Sequence, residues 1–154
     1  MPERQERIRT AEGWSWKWGD WISPAFPYLE ERPWTPLVIA GRLCFVACDT
    51  PDVDGEIGLE RFRAANWCVV WGDAAGPWFD DVHGLTEFKG QPVYIARAKA
   101  KSDYEYCVVW GNRRSQGFPF QISCRIENDR IHISRFDTRR TTPEDEIEVQ
   151  WHED

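Results

Sequence analysis

Residues 67–71 read Trp-Cys-Val-Val-Trp and residues 106–110 read Tyr-Cys-Val-Val-Trp, and a glycine follows each. Side chains alternate across a strand, so Cys68 and Val70 take one face while Trp67, Val69 and Trp71 take the other. Both faces are apolar, which predicts a strand covered on both sides. Trp14-Ser-Trp-Lys-Trp18-Gly19 carries the same frame, an aromatic residue four positions before a Trp-Gly pair. Seven residues beyond each of these glycines stands another aromatic: Phe26, Phe79 and Phe118.

A hairpin pattern follows each time, at Val38–Ala47, Glu87–Ala96 and Arg125–Ser134. Gly41, Gly90 and Asn128 mark the turns, each six residues before a small residue, Ala47, Ala96 or Ser134. Glycine and asparagine accept positive φ cheaply, and the flanking β-branched and aromatic residues favour strands. The pattern predicts an all-β chain of three tandem β-meander repeats, each of about three strands. The units fall near 14–47, 67–96 and 106–134, in a domain over 14–137 with an insertion at 48–66. A β-trefoil is the alternative; it asks for about four strands in each unit. Helical spacing appears only at Leu59–Ala65, where a short helix is expected in the insertion. Residues 1–13 are polar and read as helix-permissive or loose, and 138–154 as an acidic tail.

Trp-Cys-Val-Val-Trp-Gly, the Trp78-Phe79-Asp80-Asp81-Val82 element, Val93-Tyr94-x-Ala96 and the second Cys-Val-Val-Trp-Gly together resemble bacterial tandem β-repeats of the WG type and propeller-like repeats. The resemblance covers about residues 14–136 and is clearest over 67–122. It implies stacked β units and a role in protein interaction. The chain departs from those groups in having three copies, the first diverged, whereas closed propellers need about 4–8 blades.

Ten tryptophans in 154 residues need packing partners or ligands. Packing between repeats is the simpler reading, and a ladder for ligand stacking is the alternative. Five cysteines form no CxxC pair, and the charged N-terminus lacks the apolar run of a signal peptide. No apolar stretch approaches the ~20 residues of a membrane span. Reduced thiols, a cytoplasmic location and no membrane partner are therefore expected. The net charge of −7 is uneven. Residues 97–140 carry ten basic and five acidic side chains, while 141–154 carry none and six. This separation points to a basic face beside an acidic tail.

Candidate chemistry is sparse. His83 follows the Phe79-Asp-Asp-Val element in an expected loop, His132 alternates with Ile131 and Ile133 and so faces outward, and His152 lies in the acidic tail. Cys44, Cys48 and His83 do not complete the four ligands of a structural zinc. The acidic stretch 49–56 fails the calcium-loop register, because Thr50 and Arg61 fall where Asp and Glu are required. Asp80 and Asp81 are adjacent, and adjacent strand residues point apart. No phosphate-loop, dinucleotide, nucleophile-elbow or zinc-protease motif occurs. No metal and no cofactor are expected.

The expected function is a non-enzymatic protein-interaction or adaptor module with another protein as partner. Arg113 and Arg114, after the last Trp-Gly, are the first candidate contacts, followed by Trp16, Trp21 and Trp34. A nucleic-acid-associated factor is the first alternative, with Arg125, Arg135, Arg139 and Arg140 on the basic face as anion contacts. A carbohydrate-binding trefoil is the second. Homo-oligomers are compatible with each, since open repeats leave strand edges.

Overall fold

A computed structural model of the chain describes residues 4–30, 36–50, 65–100, 103–136 and 146–153. Among the described residues there is no helix; the fold is all-β, in several sheets, none of them a closed barrel. The alternative of a trefoil gains no support from this arrangement. No helix among the described residues is long and apolar enough to cross a membrane. The chain divides into two compact units, Met1–Asp80 and Asp81–Asp154.

Unit 1 holds β1 (Gln5–Thr10), β2 (Gly13–Trp18) and β3 (Trp21–Ile22) in one antiparallel sheet. Its second sheet is centred on β6 (Arg42–Cys48). Both β4 (Tyr28–Leu29) and β5 (Leu37–Ile39) pair with β6, as does β7 (Trp67–Trp71), which carries β8 (Ala74–Ala75) on its outer edge. Unit 2 has a five-stranded sheet in the order β9 (Asp81–Phe88), β10 (Gln91–Ala100), β11 (Asp103–Trp110), β12 (Arg113–Arg114), β16 (His152–Glu153). Its second sheet is β13 (Ile122–Glu127), β14 (Arg130–Arg135) and β15 (Glu146–Ile147).

The hairpin turns have one cause. Ala40 and Gly41 have φ of 50° and 76°, Lys89 and Gly90 50° and 75°, Asn128 and Asp129 52° and 58°. Two successive positive φ values define the type I′ turn, whose twist suits a two-residue hairpin. The flanking pairs Ile39↔Arg42, Phe88↔Gln91 and Glu127↔Arg130 fix the register. They also correct the expected alignment: Asp129, not Asn128, stands where Gly41 and Gly90 stand. Both residues of that turn tolerate positive φ, so the sequence alone allowed either choice.

The Trp-Gly strands share a local frame. Trp14 and Phe26 exchange both backbone hydrogen bonds (2.7 and 2.9 Å), as do Trp67 and Phe79 (2.7 and 2.8 Å) and Tyr106 and Phe118 (2.8 and 2.7 Å). Gly19, Gly72 and Gly111 turn the chain at φ of 61°, 64° and 59°, a conformation costly to a residue with a Cβ. The tryptophan that closes each repeated pentapeptide clamps a turn. Trp71 Nε1 donates to the carbonyl of Ile39 at 3.0 Å, and Trp110 Nε1 to that of Phe88 at 3.2 Å.

Alternation builds the cores. In unit 1, Leu43, Phe45, Ala47, Cys68 and Val70 share a face and pack with Trp16 and Leu29. The opposite face of the same two strands, with Cys44, Val46, Cys48 and Val69, is also buried. In unit 2, Val93, Ile95 and Val108 pack with Phe88, Phe118, Ile122 and Ile133. Each such side chain contributes about 1.5–3 kcal/mol by leaving water.

Two expectations change and a third is not reached. Residues 5–10, read as helix-permissive or loose, form β1, with six pairs to β2. The strand has little apolar content because Arg7 and Arg9 lay their guanidinium groups over Trp14, at 4.6 and 5.5 Å from the ring centre. The acidic tail contributes β15 and β16. The helix expected at 59–65 lies, apart from buried Ala65, outside the described residues.

Candidate binding cleft of unit 2

Trp110 is the hub of unit 2. Its indole N–H is fixed by Phe88, whose ring lies 5.4 Å away at 53°. The Arg113 guanidinium covers its face at 4.8 Å, and Trp151 meets it edge-on at 5.6 Å and 65°. These contacts set one wall of a cleft of about 770 Å³. Ile131 at the start of β14 and Ile147, Val149 and Trp151 of the C-terminal segment complete its apolar lining. Lys89, Asp129, Arg130 and Glu148 form a rim of balanced charge. Lys89 Nζ lies 3.6 Å from Asp129 Oδ2, linking the tips of two type I′ hairpins.

The C-terminal wall is held at three places. Ile147 pairs with Ile133, and β16 pairs with β12 at Arg113↔Glu153 and Arg114↔His152. Between them Gln116 acts in place of a strand: its Nε2 donates to Glu148 O at 2.8 Å, and its Oε1 accepts from Gln150 N at 2.8 Å. Arg113 Nε lies 3.9 Å from Glu153 Oε1, both side chains well exposed.

The sequence candidates scatter over this frame. Arg113 and Arg114 form β12, between β11 and β16; neither lines the cleft, but Arg113 lies over Trp110, which does. Trp16 is corrected: at 4 % exposure it is a core residue and cannot be a surface contact. Its indole nitrogen is buried without a hydrogen-bond partner. Trp21 is half-buried, packs on the core of unit 1 and donates its N–H to Asp73 Oδ1 at 3.3 Å. Trp34, Arg139 and Arg140 lie outside the described residues.

Arg125 and Arg135 are not brought together. The register Arg125↔His132 puts Arg125 on the outer face with Ser123 and Ser134, whose hydroxyls lie 2.8 Å apart. The pairing Ile122↔Arg135 puts Arg135 on the core side, over the Phe120 ring at 4.8 Å. Arg125 instead approaches Glu127 at 3.2 Å.

His83 Nδ1 lies 3.4 Å from Asp81 Oδ2 on an exposed strand face, and His132 faces outward with Nε2 2.9 Å from Glu127 O. No group of three His, Cys, Asp or Glu side chains among the described residues is placed to hold a metal ion. Cys44 and Cys48 are buried in β6, and burial pushes the Cys44 thiol up to about 12. Sequence reasoning missed Phe88, Ile131, Gln116 and the segment 147–151. The one available signal was Ile147-x-Val149-x-Trp151, a short alternation hidden among acids. Comparison with known protein families, with curated proteins and with solved structures returned no match.

Proposed function

We propose that the chain is a non-enzymatic protein-interaction module built from tandem strand–turn–anchor–hairpin units, with the cleft of unit 2 as its binding site. The observation that carries the reading is the cleft itself. It is about 770 Å³, open to solvent, and lined by aromatic and aliphatic side chains together with Lys89, Asp129, Arg130 and Glu148. That mixture of aromatic, aliphatic and charged groups suits a peptide segment that brings both apolar and charged side chains. The unit reading draws on the recurring Trp14–Phe26, Trp67–Phe79 and Tyr106–Phe118 brackets, each twelve residues apart, and keeps the likeness to WG-type repeats as a working basis.

The test uses the immobilised full-length chain exposed to lysate of the cells that make it, with and without nuclease, read by mass spectrometry. The comparison variant is Ile131→Asp, with its fold checked by circular dichroism. A protein retained through nuclease treatment and lost with the variant is the expected result. A catch that vanishes with nuclease overturns the reading and returns the basic face to first place.

A further inference from the structure

The far wall of the cleft is the chain's own C-terminal segment, lying along an edge that it satisfies incompletely. The segment is extended, with apolar residues at 147, 149 and 151 and an acid at 153. It meets the sheets through two-residue ladders at either end and the Gln116 clamp between, and its half-buried Ile147, Val149 and Trp151 pack against the core of unit 2. An open cleft of about 770 Å³ runs alongside Trp110 and Trp151. The Arg113–Glu153 ion pair, at 3.9 Å, has side-chain exposures of 42 % and 74 % and so contributes little. Two-residue ladders and half-buried apolar contacts hold a segment less firmly than the full ladders of β10 and β11 do, so it opens locally before them.

We propose that the strip formed by Trp110, the Arg113–Arg114 strand edge and Gln116 is a docking surface for an extended acidic segment of a partner protein. The chain's own residues 146–153 are the built-in occupant which that segment displaces. The inference rests on reading the cleft as a protein-binding site. The recognition chemistry follows from the occupant. The outer edge of β12 offers backbone hydrogen bonds to an added strand. Gln116 reads one carbonyl and one N–H, hence any sequence in extended form. Trp110 takes an aromatic ring edge-on, and the arginines take a carboxylate two residues further on. A partner segment that alternates apolar residues, then presents an aromatic and an acid, matches all four. The tether gives the native occupant a high effective concentration, so the partner must either bind tightly or meet a loosened segment.

The probe is a fluorescein-labelled peptide, Glu-Ile-Glu-Val-Gln-Trp-His-Glu, copied from residues 146–153. It is titrated by anisotropy with full-length wild type and with the full-length double variant Trp151→Ala/Glu153→Ala. The double variant is expected to bind at least about tenfold more tightly than wild type, because its own segment competes less. Adding Arg113→Glu is expected to remove most of that gain, and a peptide lacking the tryptophan is expected not to bind. Equal binding by wild type and the double variant, or indifference to Arg113→Glu, overturns the proposal. So does tighter binding of a single-stranded oligonucleotide than of the peptide. Hydrogen exchange on the wild type gives a second measurement independent of any variant. The amides of Gln150 and Glu153 should exchange far faster than those of β10 and β11, and equal protection overturns the displaceable segment. Lysate capture that needs Ile131, with no peptide binding, would leave the cleft reading standing and remove this one alone.

Discussion

The strand pairs β6–β7 and β10–β11 begin in the same register, Cys44 opposite Trp71 and Val93 opposite Trp110. In both, the indole N–H of the closing tryptophan, Trp71 or Trp110, holds the carbonyl before a type I′ turn. They part at either end. The first ladder stops after five pairs, at Cys48↔Trp67, where Asp49 and Asn66 tie the chain on the two sides of residues 51–64. The second runs for eight pairs, to Ala100↔Asp103. At the other end, β8 is an exposed Ala-Ala pair and the last strand of its sheet among the described residues, whereas β12 is Arg-Arg and carries β16. One scaffold therefore serves two purposes: its repeated part makes the core, and what differs at the edges makes the candidate site.

The largest test of that division is to remove each clamp. Trp71→Ala and Trp110→Ala each lose a ring and an anchored N–H, a loss of about 2–4 kcal/mol, read from urea midpoints. If the edges differ in purpose, only Trp110→Ala also abolishes partner capture. Equal loss of capture from both would erase the distinction between the units.

A smaller effect should be shared. Ser23 Oγ accepts from Trp16 N at 2.8 Å, and Ser115 Oγ accepts from Val108 N at 2.9 Å; both serines are buried. Alanine at either site strands a buried N–H and costs about 1–2 kcal/mol. Similar losses at the two sites would mark one structural device in both units. A loss at Ser115 alone would show that the likeness is geometric but not energetic.

The shared part was legible in the sequence because it is local. Period-two alternation placed Cys68 and Val70 against Trp67 and Val69, and the spacing of Phe26, Phe79 and Phe118 marked the brackets. The edges were not legible, because their partners come from elsewhere in the chain. Nothing in Gln5–Thr10 announces a strand until Trp14 supplies a ring for its arginines. Nothing in Ile147–Trp151 announces a docked segment until the Gln116 side chain replaces a ladder. The candidate site, made almost wholly of such edges, was legible only at Arg113 and Arg114.

The thiols sharpen the comparison at alkaline pH. Burial pushes Cys68 up to about 12, helped by Cys48 and Asp49, and Cys44 also to about 12, against about 11 for Cys124 in unit 2. Thiols of the unfolded chain ionise near 9.0, so the folded state holds the extra protons above that pH. Stability is intact below pH 9 and falls as pH rises through the window up to about 12. Urea midpoints at about pH 8 and about pH 10.5 should therefore separate, and Cys44→Ala should narrow the gap. An unchanged gap in that variant would mean the alkaline loss arises elsewhere.

The smallest effect concerns the Asp49–Asn66 junction of unit 1. Burial raises the Asp49 carboxyl, but hydrogen bonds from the Asn66 backbone and amide and the Thr50 hydroxyl outweigh it and hold the group below 3.8. A carboxylate whose pKa is depressed by folding stabilises the protein above its unfolded value. That contribution is lost as pH falls below 3.8 through the folded value. Asp49 is exposed, so solvent screens much of the gain and the change in midpoint should be slight. Asp49→Ala should lower the urea midpoint slightly at neutral pH and leave it unchanged in acid, where wild type has already lost the same bonds. The ladder of unit 2 runs on to Ala100↔Asp103, so the acid-dependent difference is expected in hydrogen exchange at Asn66 and Trp67 and not at Tyr104. A parallel change at Tyr104 would show that the acid response belongs to the whole chain, and the five-pair ladder would then need no clamp to end where it does.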